Sequence, residues 1–181
     1  MTTVETLLND PDSAGVWNVV PDRSTITFKI KNMWGLVNVK GRFTDFTGDG
    51  QVTGEGAIFG RLDIRTASLR TGIRKRDEHL QSADFFDVER FPEISVVVTA
   101  VQPTTGNAAD LRATFSIKEV TAPVPLPVQV TVHDDGSVRV SARAEVDRAQ
   151  FDLDWNRLGM IGRTATAIAD AWFVRAPRQT S

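Results

Sequence analysis

The stretch Val138-Arg-Val-Ser-Ala-Arg-Ala-Glu-Val-Asp147 decides the fold. Val138, Val140, Ala142, Ala144 and Val146 fall on one side of an extended chain, and Arg139, Ser141, Arg143, Glu145 and Asp147 on the other. Successive side chains of a strand point to opposite faces, so this period of two marks a strand with one buried face. The pattern recurs outward in both directions. Ile26, Phe28 and Ile30 alternate with Thr25, Thr27, Lys29 and Lys31, and Val37, Val39, Gly41 and Phe43 with Asn38, Lys40, Arg42 and Thr44. Ile58, Gly60, Leu62 and Ile64 oppose Phe59, Arg61, Asp63 and Arg65, and Leu111, Ala113, Phe115 and Ile117 oppose Arg112, Thr114, Ser116 and Lys118. One apolar and one wet face per strand is the habit of antiparallel sheets. Ile94 to Val101 is apolar on both faces and reads as a strand covered on both sides. Asp49-Gly50, Thr105-Gly106-Asn107 and Asp134-Asp135-Gly136 supply turn residues that tolerate positive φ. Many strands joined by hairpins predict an all-β barrel or sandwich and not βαβ units.

Three features modulate this plan. From Lys75 to Glu89 the period of two fails, and Leu80 and Ala83 follow helical spacing until Phe91-Pro92, which predicts one or two short helices lying against or over the barrel end. Pro123, Pro125 and Pro127 sit two apart. Strand N–H groups point alternately to opposite edges, so these prolines strip donors from one edge alone and predict a seam or edge strand at 122–128. Ala165, Ala167, Ala169 and Ala171 share one face of the last strand, against Thr164, Thr166, Ile168 and Trp172 on the other. Facing inward, that alanine stripe leaves volume unfilled, as a ligand lumen requires. Residues 1–14 have no sustained period and are expected as an N-terminal arm with a short helical turn, leaving 15–177 as a single barrel domain.

Composition narrows the functional classes. With 181 residues and no cysteine, the chain can bury a core without disulfides and offers no thiolate chemistry. Its 21 Lys+Arg nearly balance 23 Asp+Glu, which argues against a nucleic-acid binder. The densest basic run, Arg70 to Arg76, passes directly into Asp77 and Glu78 and reads as a solvated helix start. No membrane-spanning apolar run occurs, and the first ten residues show no basic n-region or apolar h-region, so a cytoplasmic location is expected.

The segment Arg76-Asp-Glu-His-Leu-Gln-Ser-Ala-Asp-Phe-Phe-Asp-Val-Glu-Arg-Phe-Pro-Glu-Ile94 resembles the signature of the YceI-like family. So do Trp17 to Ser24 with Phe28-Lys-Ile-Lys31, Gly41-Arg-Phe43, Val120 to Val124, and Arg148 through Phe151. The similarity spans roughly 16–175. It departs from the family pattern at Asn32, Glu119 and Asp152, where histidine, glycine and glycine are common. This resemblance implies an extended eight-stranded antiparallel lipocalin-like barrel with one or two short helices around 75–90. It also implies binding of a polyisoprenoid or isoprenoid quinone in the lumen, for carriage, storage or sensing.

On that reading the apolar residues expected at the ligand are Phe28, Ile30, Trp34, Phe43 and Phe85. With them go Phe86, Phe115, Phe151, Ala167 and Ala169. Each has an ordinary alternative as barrel core. Arg76, Asp77 and His79 are expected near the mouth, with Arg76 and Asp77 clamping the helical excursion to the barrel. His79, close in sequence to Asp77, Glu78 and Asp84, is expected to hydrogen-bond locally, and His133, beside a turn, to lie on the solvated surface. No His-x-x-x-His spacing, phosphate loop or nucleophile elbow is present, so no metal, catalytic residue or bound cofactor other than the lipid is expected. The partner implied is a small apolar lipid, with no nucleic acid; pairing with a second copy of the chain as a homodimer is left open by the sequence. Two alternatives stand beside this reading: a filled barrel acting as an interaction module, for instance through the proline edge, and an enzyme dependent on His79.

Overall fold

The structure is a computed structural model, and residues 2–177 are described. Eleven strands are present: β1 (Gly15–Val19), β2 (Thr25–Asn32), β3 (Val37–Phe43), β4 (Phe46–Val52), β5 (Ile58–Arg65), β6 (Leu69–Arg70), β7 (Glu93–Pro103), β8 (Ala108–Ile117), β9 (Val120–Val132), β10 (Val138–Asp147) and β11 (Thr164–Arg175). Helix α1 spans Thr3–Asn9 and helix α2 spans Arg74–Gln81. Six of these strands combine pairwise into longer staves. β1 and β2 lie end to end along one edge of β11, with Val19 opposite Phe173 and Thr25 opposite Asp170. Pro21–Arg23 forms a 3-10 turn between them. β4 pairs with β1 and β3 with β2, and β5 and β6 repeat the arrangement across a 3-10 turn at Thr66–Ser68. The result is a closed antiparallel barrel of eight staves, neighbours in space being neighbours in sequence. Closure removes the sheet edges that an open sheet would expose.

The β2–β3 turn, the α2 segment and the 148–163 connection gather at one end, called upper here; the turns at 53–57, 104–107 and 133–137 gather at the other. Helix α1 closes the lower end. Its capping box is complete: the Thr2 N–H donates to Glu5 Oε2 at 2.7 Å and the Glu5 N–H to Thr2 Oγ1 at 3.1 Å. Val4 is only 2% exposed, and the Thr3 N–H donates to the Gly106 carbonyl of a lower hairpin. The short helical turn expected in the N-terminal arm is thus the helix Thr3–Asn9, anchored at the lower end.

The prolines act as their spacing predicts. β9 matches β8 residue for residue from Val120 to Gln129, whereas its ladder to β10 covers only Val128 to Val132. The donor-free edge therefore faces β10, and the wall carries a seam above Val128. Three local expectations change. Asp49-Gly50 is not a turn: both lie inside β4, and the chain reverses at 53–57, where Gly56 takes φ +83°. Ile94 to Val101 is a wall strand between β5 and β8 with no need of a second layer. A bulge between Val98 and Ala100 shifts the alternation, which makes both faces look apolar in sequence. His133 is not simply solvated: its ring stacks on Trp172 at 4.6 Å, and its Nε2 is buried.

Candidate functional site

The inward residues divide the interior into two unlike halves. In the upper half, aromatic rings from distant strands meet and fill the space. Phe43, Phe46, Phe85, Phe115 and Phe151 are between 0% and 7% exposed. Phe28 lies 5.6 Å from Phe43, and Phe43 lies 6.0 Å from Phe86 in an edge-on contact. The Phe28 ring rests directly on Gly41, where any Cβ would come within 2.3 Å of it.

The lower half is open. A cavity of about 210 Å³ lies there, walled by valines and leucines and floored by Val4 and Leu7 of α1. It exists because several inward positions carry almost no side chain. Gly50 of β4 faces Gly60 of β5 directly across the ladder, and Ala142 of β10 faces Ala169 of β11. With Ala171, these residues line the cavity. Neighbours such as Val98, Val128 and Val140 complete an apolar wall. The charged residues at this level, Asp49 and Arg61, stand at the outward positions of their strands, where Arg61 pairs with Asp63 at 3.0 Å. Such a predominantly apolar space can hold hydrocarbon.

The expected ligand residues are distributed across both halves. Ala169 lines the cavity and, like Ala167 one inward step higher, also packs against the upper cluster. Phe43, Phe85, Phe115 and Phe151 are members of that cluster, and Phe28 and Phe86 pack against it. Ile30 is half-buried on β2, opposite Val39. Trp34 is at the outer tip of the β2–β3 turn and 67% exposed. Ala171 belongs to the alanine stripe read from sequence as a lumen wall, whereas Gly50, Gly60, Ala142, Val4 and Leu7 were not singled out as ligand residues. For Gly60 and Ala142 the signal was present, since both occupy inward positions of clear alternating runs.

The upper end is held shut by polar groups acting on backbone. Asp77 Oδ1 accepts from the Thr71 N–H at 2.8 Å and from its hydroxyl at 2.5 Å. Arg76 donates to the Thr71 hydroxyl and carbonyl, each at 2.9 Å. The pair thus converges on Thr71 and fixes α2 to the end of β6. His79 Nε2 lies 2.9 Å from Asp84 Oδ2, and its ring meets Phe85 and Trp155 edge-on at 5.2 and 4.5 Å. Among the described residues no group of three or more histidine, aspartate or glutamate side chains could hold a metal. Arg148, 5% exposed, donates to the carbonyls of Gly162 and Leu153 at 2.8 and 2.5 Å. Burial pushes its guanidinium pKa down from the ordinary value, against the opposing pull of Asp154 and Asp147. Arg148→Met would leave those buried carbonyls without their donors, so a loss of about 2–3 kcal/mol is expected, with the 148–163 connection becoming protease-sensitive. Chemical denaturation and limited proteolysis measure both; an unchanged midpoint would show that the connection holds without it.

A closed antiparallel barrel of eight staves around an apolar chamber is a lipocalin-like fold. The comparisons specify which kind. The YceI-like domain model matches residues 17–173, and the chain belongs to that family. A UPF0312 protein of Pseudomonas putida (strain W619) is 32% identical over 146 residues, covering 78% of this chain and 73% of that protein. A UPF0312 protein of Shewanella sp. (strain MR-4) is 26% identical over 166 residues, covering 88% and 78%. Among solved structures, BcnA of Burkholderia cenocepacia superposes with a TM-score of 0.77 at 20% identity, over 86% of this chain and 99% of that one. A polyisoprenoid binding domain from Saccharophagus degradans, implicated in plant cell wall breakdown, gives 0.74 at 16% identity, over 89% and 98%.

Proposed function

We propose that this protein binds an elongated apolar lipid, of polyisoprenoid or isoprenoid-quinone type, inside its barrel and does no chemistry on it. The observation that carries this reading is the apolar cavity behind Gly50, Gly60, Ala142, Ala169 and Ala171. Membership of the YceI-like family and the likeness to a polyisoprenoid binding domain support it. Each buried methylene contributes about 0.8 kcal/mol, so affinity rises with the enclosed chain length. Carriage, storage and sensing all fit such a site. Native mass spectrometry after mild purification, followed by titration with polyprenyl lipids and quinones, tests the reading. A protein that purifies empty and takes up neither class would refute it.

The cavity of about 210 Å³ is smaller than the roughly 300–1,000 Å³ common for ligand pockets. A long chain therefore needs more room, which displacement of the floor would supply. Helix α1 has seven residues, too few to persist without its packing partners. Removing residues 2–9 opens the lower end, so longer polyprenyl chains are expected to bind more tightly and to exchange faster. Titration with a chain-length series measures this; identical length dependence in the full and shortened chains would mean that the lipid extends elsewhere.

A further inference from the structure

The β2–β3 turn combines two unusual choices. Met33 and Trp34 both have positive φ, at +49° and +54°, and the Gly35 N–H donates to the Asn32 carbonyl at 3.1 Å. A tight turn of this geometry favours Asn-Gly, because a Cβ is disfavoured at both central positions. Here two large apolar residues occupy them and point into solvent. Trp34 is 67% exposed, Leu36 84% and Met33 46%. The neighbouring 157–161 loop adds Leu158, 77% exposed and also at positive φ. The two loops form one platform: the Trp34 N–H donates to the Met160 carbonyl at 3.0 Å, and the Gly162 N–H to Lys31 at 2.8 Å. A contiguous exposed apolar surface of this kind marks an interaction site.

The charge beside it indicates the partner. On the outer faces of β2, β3 and β6, Lys29 stands opposite Lys40 and Arg42 opposite Arg70, with Lys31 next to the turn. Like charges directly opposite weaken a sheet. Among the described residues none of these five cations is ion-paired; the acids across the adjoining groove, Asp77 and Glu78, are engaged by Thr71 and Arg74. This concentration of positive charge stands out on a chain whose formal net charge is −2. Indole rings settle at the headgroup level of a bilayer, and lysines and arginines beside them attract anionic lipid.

We propose that the β2–β3 turn and the 157–161 loop dock this protein onto an anionic phospholipid bilayer, with Trp34, Leu36, Met33 and Leu158 entering the interface and Lys29, Lys31, Lys40 and Arg42 meeting the headgroups. This docking is independent of what fills the cavity, since the platform lies outside the barrel.

Co-sedimentation of the full chain with phosphatidylcholine vesicles, and with phosphatidylcholine–phosphatidylglycerol vesicles, tests it. Binding to the anionic vesicles alone is expected, weakening as salt rises. Trp34→Ser with Leu36→Ser should lower that binding by about tenfold or more. Lys31→Glu with Lys40→Glu should lower it by about 25-fold, about fivefold for each cation, and flatten the salt dependence. All four positions are exposed, so thermal melting should match the parent and exclude misfolding as the cause. Absent or equal binding to the two vesicle types, or a tip variant that binds like the parent, overturns the proposal. So does sedimentation-velocity evidence of self-association that the tip variant abolishes, since the platform then serves a second copy of the chain.

Discussion

Gly60→Val is expected to yield a folded barrel that takes up lipid about 30-fold more weakly. Gly60 lies inside β5 between outward Phe59 and Arg61, so a side chain there enters the cavity. An added Cβ meets the Asp49 carbonyl at 3.6 Å, Val98 Cβ at 3.8 Å and Gly50 Cα at 4.0 Å, all ordinary contacts. Valine also suits a strand, and replacing glycine reduces the freedom of the unfolded chain. Stability should therefore hold or rise slightly. The two methyl groups project into about 210 Å³ of space and displace two or three methylenes of any occupant. At about 0.8 kcal/mol each this weakens binding by roughly 2 kcal/mol, or about 30-fold. Adding Gly50→Val on the facing strand should remove the remainder. Titration with a polyprenyl lipid and a parallel thermal melt separate the effects. A variant with parental affinity would place the lipid outside this chamber and return the lower barrel to the role of loosely packed core.

The barrel was legible because its signal is local. A strand's alternation is written in consecutive residues, and the matching of β10 to β11, Val138 with Phe173 through Asp147 with Thr164, follows from two clear runs. The seam was legible for the same reason, since prolines act on their own N–H groups. The interior was not. Periodicity shows that Phe43 and Phe115 point inward, but whether they line a tunnel or meet other rings depends on which residues stand across the barrel. That is fixed by strands far apart in sequence. Gly50 was obscured by chemistry that serves two purposes: Asp-Gly suits a turn, and glycine equally suits a strand wall left bare. Helix α1 was partly visible, because Thr2 and Glu5 have capping-box spacing ahead of Leu7 and Leu8. Its burial depends on the lower hairpin at Gly106, which no local pattern announces. Trp34 shows the reverse error of inference: an aromatic in a β-rich sequence suggests the interior, whereas a turn at the end of two strands places it outside.

Phe151→Ala should produce the opposite phenotype to Gly60→Val, with stability lost and binding kept. Phe151 is 0% exposed, at the end of the short 3-10 helix Arg148–Phe151, and belongs to the packed upper cluster. The next residue, Asp152, takes φ +58°, a left-handed turn that swings the chain away and leaves the ring locked beneath it. Truncating a fully buried phenylalanine costs about 3–5 kcal/mol, from lost transfer energy and the void left behind. For a domain of this size each kcal/mol lowers the midpoint by about 2–4 °C, so a drop of roughly 6–20 °C is expected. Binding measured below that midpoint should stay within a few-fold of the parent, because the upper cluster and the cavity lie in different halves of the barrel. The competing arrangement, a tunnel running the full length of the barrel, gives a different answer. There, removing the ring would lengthen the tunnel, and the variant would prefer longer polyprenyl chains than the parent does. A chain-length series on Phe151→Ala thus decides whether the upper aromatics are the barrel's structural half or the far wall of its ligand site.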